Sequence, residues 1–117
     1  MTRIKRVYSE PSSRDGMRIL VDRVWPRGIR KERACIAEWR RDLAPSTSLR
    51  KWFGHEHVRW TEFRRRYRME LTQPGIMKEL KKLGRLSRTG TITLVYGAAD
   101  EKHNQAVVLK ECIDELA

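Results

Sequence analysis

The segment TITLVYGAADEKHNQAVVL, residues 91–109, is typical of a buried strand that leads through a short turn into a helix. Residues 91–96 form the strand, since the run is β-branched and apolar. The small residues from Gly97 onward predict a tight turn, and we expect Asp100 to cap a helix over 101–116. This helix would bury the apolar side chains Val108, Leu109, Cys112, Ile113 and Leu116. Together these elements make half of a parallel α/β unit.

Two further strands are predicted near the N-terminus. Residues 4–8 alternate weakly between apolar and polar side chains, which favours a short strand. Residues 17–24 carry apolar side chains on both faces, so we expect a strand that is covered on both sides. The turn formers of residues 11–16 separate the two strands. The run WPRG (25–28) ends the second strand, because proline removes a backbone donor.

Helical patterns fill most of the chain between these strands. Residues 30–41 have a helix-compatible composition, and residues 46–53 predict a short helix with a serine or threonine cap. The apolar side chains of 56–71 and 74–89 repeat every three or four positions, which favours two longer helices. The resulting β-β-α-α-α-β-α order predicts a single α/β domain over residues 1–117, with a small sheet of about three strands flanked by helices.

Composition and charge narrow the class of protein. The 117 residues suffice for one domain, and 26 basic against 15 acidic side chains give a formal net charge of +11. Residues 1–88 hold 24 of the basic and 10 of the acidic side chains, so the positive field belongs to this part. Such an excess of positive charge favours contact with polyanions, although it also serves solubility.

Several other classes are excluded by the same sequence. No stretch approaches the roughly 20 consecutive apolar residues of a membrane span, and the N-terminus lacks the apolar core of a signal peptide. Cys35 and Cys112 are too few for a disulfide framework, so we expect a cytoplasmic protein without membrane contact. Basic neighbours favour the thiolate of Cys35, and an incidental cysteine is the alternative.

Two predicted strand ends carry polar side chains that we expect to meet. Asp22 follows one strand and Tyr96 ends another, and the carboxyl ends of parallel strands share one edge of a sheet. Arginines offer paired donors, and the start of the last helix offers backbone N–H groups, so this edge predicts an anion site. The predicted ligand-binding residues here are Arg23, Trp25, Arg27, Tyr96 and Asn104.

The same residues also have a purely structural interpretation. Asp22 would then pair with an arginine, Trp25 would pack, and Asn104 would order the start of the last helix. The pattern leaves both interpretations open.

Residues 43–55 mix aromatic with basic side chains and also allow two interpretations. As a lid over the sheet edge, the segment would point Arg50, Trp52 and His55 toward a ligand. As an amphipathic helix, it would dock its apolar side chains on the core. His55 and His57 are spaced like zinc ligands, but no further cysteine or histidine lies nearby in the sequence. We therefore predict no metal site, and no standard motif indicates a cofactor.

Five segments resemble one known family in order along nearly the whole chain. They are VDRVWPRG (21–28), EWRRDLAPST (38–47), LRKWFGH (49–55), FRRRYRMEL (63–71) and LVYGAADEKHNQAVVL (94–109). They are similar to the YeaO-like family, domain of unknown function 488, which is widespread in bacteria. The resemblance implies a cytoplasmic single α/β domain and no particular reaction. It covers the same segments as the predicted site.

Two functions from different classes follow from the residues. In the first, the strand-end edge binds or acts on an anionic small molecule, with phosphorylated molecules among the candidates. Asp22, His55 and His103 are the candidate catalytic groups, because carboxylates and imidazoles can move protons. In the second, the arginine-rich faces of the 56–71 and 75–88 helices bind nucleic acid through its phosphates. Steep salt dependence would distinguish the second function from the first.

Overall fold

The computed structural model describes residues 1–117 and contains one parallel sheet with helices around it. The four strands are β1 (Thr2–Arg6), β2 (Met17–Leu20), β3 (Glu38–Trp39) and β4 (Ile92–Tyr96), in the spatial order β1-β4-β2-β3. The five helices are α1 (Lys31–Ala34), α2 (Thr47–Phe53), α3 (Trp60–Glu70), α4 (Pro74–Thr89) and α5 (Gln105–Leu116). Short 3-10 turns lie at Ser13–Asp15, Arg41–Leu43 and His57–Arg59. The predicted α/β class is confirmed.

Strand β4 occupies the middle of the sheet. It pairs in parallel with β1 on one side and with β2 on the other, so that Leu94 lies opposite both Ile4 and Ile19. All five residues of β4 are buried. Because both faces of the strand are covered, its apolar side chains do not alternate with polar ones. This is why residues 91–96 give the clearest strand signal in the sequence.

The sheet separates two apolar clusters, because neighbouring residues of a strand point to opposite faces. Ile19 and Leu94 belong to the larger cluster, which the side chains of α2 to α5 complete. Leu20 and Val95, one position further on, belong to a smaller cluster on the opposite face. The helices α2 to α5 therefore lie on one side of the sheet, and α2, α3 and α5 carry residues that reach its carboxyl end.

A buried ion cluster lies on the same face of the sheet as the smaller apolar cluster, because Lys5 and Arg18 stand opposite Val95 and Thr93 of β4. The carboxylate of Asp15 is fully buried and accepts hydrogen bonds from Ser12 N (3.0 Å), Lys5 Nζ (3.1 Å) and an Arg18 guanidinium nitrogen (2.6 Å). Burial alone would raise the pKa of Asp15, but these hydrogen bonds hold it below its ordinary value. The cluster links β1 and β2, the two strands that flank β4.

The prediction of helix for residues 30–41 is wrong for most of that segment. Only Lys31–Ala34 is helical, because Cys35 ends it in the left-handed region at φ 52°. The chain then extends along β2, where Ala37 N donates to Arg18 O at 2.8 Å and β3 pairs in parallel. This short strand makes the sheet four-stranded instead of the predicted three or so.

Element boundaries also differ from the predicted ones. The first strand covers Thr2–Arg6 and not residues 4–8, and β2 ends at Leu20 and not at residue 24. After Leu20 only Val21 N still donates to β4, through Val95 O at 3.0 Å. The chain leaves the sheet there, which places Asp22 in a loop.

Asp100 does not cap α5, contrary to the prediction. Asn104 is the cap: its Oδ1 accepts from Ala106 N at 2.9 Å and Val107 N at 3.2 Å, so α5 begins at Gln105. Asp100 instead caps the preceding turn by accepting from the backbone of Lys102 and His103. None of the helices combines the length and the apolarity that a membrane crossing needs.

Candidate functional site

A cleft of about 460 Å³ opens at the carboxyl ends of β2 and β4. Its walls are the loop after β2, the end of α2 with the residues that follow it, and the turn between β4 and α5. Pro45, Phe53 and Phe63 add apolar lining. Because β2 and β4 are parallel neighbours, the two predicted strand ends do meet at one edge.

Asp22 links the two strand ends. Its Oδ2 accepts from Gly97 N at 3.0 Å and its Oδ1 accepts from Gln105 Nε2 at 2.5 Å. A β-carbon on Gly97 would lie 2.8 Å from Asp22 Oδ2, so a side chain at this position would force the carboxylate to shift. Burial raises the pKa of Asp22 to about 6, even though these hydrogen bonds and the nearby His55 and Arg50 favour the carboxylate.

Four cationic side chains face one acid in the cleft. Arg23, Arg27, Arg50 and Lys51 line it together with Asp22. None of the four forms an ion pair within the chain. Arg23 is partly fixed, since its Nε donates to a backbone carbonyl oxygen at 3.1 Å. The cleft thus concentrates positive charge that the protein leaves uncompensated.

The cleft brings together six of the ten predicted site residues. They are Asp22, Arg23, Arg27, Arg50, His55 and Asn104. The amide oxygen of Asn104 is occupied by the start of α5, as in the structural interpretation of this residue. The other four residues lie outside the cleft, because each side chain is held by contacts elsewhere.

The two tryptophans among them pack elsewhere. Trp25 Nε1 donates to Ile29 O at 2.6 Å, and its ring meets Trp39 edge-on, with 5.4 Å between ring centroids, in the smaller cluster. Trp52 packs against the larger core, and the guanidinium carbon of Arg66 lies over its ring, 4.5 Å from the ring centroid. Neither ring is available as a wall of the cleft.

Tyr96 and His103 are held by the core and by a neighbouring turn. Tyr96 is buried in the larger cluster, because strand alternation puts it on the same face as Leu94, and burial raises the pKa of its hydroxyl. His103 Nδ1 lies 2.9 Å from Asp100 Oδ2, and the ring meets Trp60 edge-on at 5.2 Å between centroids. His103 is therefore separated from the other candidate catalytic groups, Asp22 and His55.

The predicted site residues do not include three polar side chains that line the cleft, those of Tyr8, Lys51 and Gln105, nor Gly97, whose backbone N–H binds Asp22. Gln105 is the first residue of α5, so its role depends on placing the helix start correctly. A cap at Asn104 would have pointed to it, since asparagine is among the preferred capping residues. Lys51 directly follows Arg50, and a basic pair at the end of a short helix was the available signal.

The basic side chains of α3 and α4 differ in their partners. On α3, four arginines form ion pairs with Glu62 of the same helix or Glu111 of α5: Arg64, Arg65, Arg66 and Arg68. On α4, four exposed cations spaced three or four residues apart form no ion pair: Lys78, Lys81, Arg85 and Arg88. The surface that is free to meet a polyanion is the α4 face rather than the α3 face.

Comparison with known proteins gives one consistent result over the whole chain. A family model described as "Inactive DUF488-N3 subclade" matches residues 1–117. The chain is 42% identical over 112 residues to the uncharacterized protein YeaO of Escherichia coli, covering 96% of each chain. It is 38% identical over 112 residues to the uncharacterized proteins Mb3100c of Mycobacterium bovis and Rv3073c of Mycobacterium tuberculosis, covering 96% of this chain and 92% of each relative. No solved structure matches. The chain therefore belongs to the YeaO-like proteins of the DUF488 family.

Proposed function

We propose that the cleft binds a small anionic molecule that carries a phosphate or carboxylate group. The observation that carries this proposal is the uncompensated charge of Arg23, Arg27, Arg50 and Lys51 around a single carboxylate. Cations in a concave site attract anions more strongly than the same cations on a flat surface, because the low-dielectric walls focus the field. Guanidinium groups also match phosphate and carboxylate oxygens with two parallel hydrogen bonds.

Size and polarity further support a small organic ligand. A volume of about 460 Å³ falls within the roughly 300–1,000 Å³ of typical ligand pockets. Phe53 and Phe63 offer an apolar surface beside the arginines, and Asp22 offers carboxylate oxygens to a hydroxyl or amino group. The site suits an anion attached to a small polar body, of which a sugar phosphate is one example.

Binding without a chemical step is the role we favour. Both oxygens of Asp22 already accept hydrogen bonds, from Gly97 and Gln105, and this arrangement suits a fixed acceptor better than a proton carrier. The imidazole of His103 lies outside the cleft, so of the two candidate imidazoles only His55 lies near Asp22. The description of the family as an inactive subclade agrees with this role.

A thermal-denaturation screen tests the proposal. The probes are inorganic phosphate, sulfate, sugar phosphates, nucleotides and a short DNA duplex, each at low and moderate salt. A ligand that binds only the folded state raises the melting temperature by mass action. We expect a small anion to raise it, and Arg27→Ala to remove the effect without unfolding the chain, because Arg27 is exposed.

Arg85→Ala is the matched control, since it removes an exposed, unpaired arginine from α4. It should keep the response to the small anion. Equal responses of wild type, Arg27→Ala and Arg85→Ala would contradict the proposal.

The α4 stripe of Lys78, Lys81, Arg85 and Arg88 supports nucleic-acid binding as a second candidate function. Its cations share one face of the helix and have no acidic partners. In this case only DNA would stabilise the protein, the effect would fall steeply with salt, and Arg85→Ala would weaken it while Arg27→Ala would not.

A further inference from the structure

We propose that His57, Asp100 and His103 form a binding site for a divalent transition-metal ion such as Zn²⁺. His57 lies in the 3-10 turn before α3, while Asp100 and His103 lie in the turn between β4 and α5. Their donor atoms lie within 4.8 Å of one another. Two imidazoles and one carboxylate are a ligand set that zinc uses with water in a fourth position.

The distances fit a single ion with small adjustments. Asp100 Oδ2 lies 2.6 Å from His57 Nε2 and 2.9 Å from His103 Nδ1. Tetrahedral zinc with bonds of roughly 2.0–2.2 Å separates its donor atoms by about 3.4 Å. Each nitrogen must therefore move away from the oxygen by less than about 1 Å. His57 can make that movement, because 69% of its side chain is exposed.

The two other ligands are already held in place. Asp100 Oδ1 accepts from Lys102 N at 2.9 Å and His103 N at 3.0 Å, which leaves Oδ2 to face the imidazoles. His103 packs edge-on against Trp60. Ligating carboxylates are commonly oriented by such hydrogen bonds, so Asp100 is positioned for a ligand role.

The site is separate from the proposed anion cleft, although the two are neighbours along the chain. His55 and Asn104 line the cleft, and each lies within two residues of a proposed ligand. His55 and His57 are spaced like a zinc pair, but no third ligand lies near them in the sequence. The structure brings His103 to His57 instead, with 4.6 Å between ring centroids.

Zinc titration of the tag-free protein by calorimetry tests this site, in a Cys35→Ser background that removes the exposed thiol as a competing ligand. We expect one zinc ion per chain and at least about tenfold weaker binding in His57→Ala. Asp100→Asn should weaken binding similarly, and the visible absorption of bound Co²⁺ should report a four-coordinate site that His57→Ala abolishes.

His55→Ala is the control, since it removes an exposed histidine two positions away. It should bind zinc like the background protein. The proposal is overturned if the protein takes up no zinc, if His57→Ala binds as tightly as the background protein, or if His55→Ala loses as much affinity. No anion takes part in this titration, so its result is independent of the proposed function.

Discussion

The Asp22→Asn substitution should change how the free energy of unfolding depends on pH. Burial raises the pKa of Asp22 from its ordinary value of 3.8 to about 6 in the folded chain. The folded state therefore binds this proton more tightly than the unfolded state. The contribution of Asp22 to the free energy of unfolding is therefore highest at low pH, where Asp22 is protonated, and it falls as the pH rises from 3.8 to about 6.

The size of the effect follows from the difference in pKa. A shift of about 2 units corresponds to about 3 kcal/mol; most of this cost develops between about pH 4 and about pH 6, and it is complete at about pH 8. Asparagine carries no charge and avoids the cost. It offers one acceptor oxygen to two donors, Gly97 N–H and Gln105 Nε2, so a loss of about 1–3 kcal/mol applies at every pH. The test is therefore how the difference in free energy of unfolding between Asp22→Asn and wild type changes with pH.

Urea denaturation of both proteins at about pH 4 and about pH 8 measures this change. From about pH 4 to about pH 8, the free energy of unfolding of Asp22→Asn should rise by about 2–3 kcal/mol relative to that of wild type. Asp114→Asn, which removes a carboxylate with 47% of its side chain exposed, controls for the loss of one negative charge. A difference between wild type and Asp22→Asn that is the same at both pH values would refute the buried carboxylate at the strand ends.

Other substitutions test the supporting structure. Gly16→Ala should cost at least about 2 kcal/mol of stability, because Gly16 has φ +62° and a β-carbon there would lie 2.0 Å from Thr91 O. Gly28→Ala is the control and should cost about 1 kcal/mol, because Gly28 has φ +75° and a β-carbon there meets no atom within 4 Å. Equal losses in urea denaturation would contradict the close contact at Gly16. Asp15→Asn should cost about 3–5 kcal/mol at neutral pH, since it leaves buried cations unpaired. Because native contacts lower the pKa of Asp15, this loss should shrink in acid, and a loss independent of pH would argue against the ion cluster. Tyr67→Phe should cost about 1 kcal/mol, because the buried hydroxyl donates to a carbonyl oxygen at 2.5 Å; an unchanged melting temperature would disprove that bond.

The sequence predicts the centre of the fold better than its margins. The run of residues 91–96 is apolar because both its faces are buried, so the pattern and the structure express the same constraint. Residues 30–41 lack such a constraint, and there the composition favours a helix although tertiary pairing with β2 produces β3. A strand of two residues leaves too little pattern to be recognised.

The candidate site is predictable only where a side chain's direction follows from its element. Asp22 and Arg27 line the cleft because they follow a strand end, and parallel strands share their carboxyl edge. Tyr96 was misplaced because it is the last residue of β4 and points into the core. The partnership of His57 with Asp100 and His103 joins segments more than 40 residues apart, and no sequence spacing encodes that contact.

Amide NMR titration of the protein with inorganic phosphate at moderate salt tests the central claim most directly. Binding in the cleft should shift the backbone signals of Gly97 and Gln105 on one wall and of Arg50 on another. Arg27→Ala should abolish these shifts, and Arg85→Ala should keep them. Shifts confined to α4, or an equal response in both variants, would contradict a cleft that binds small anions.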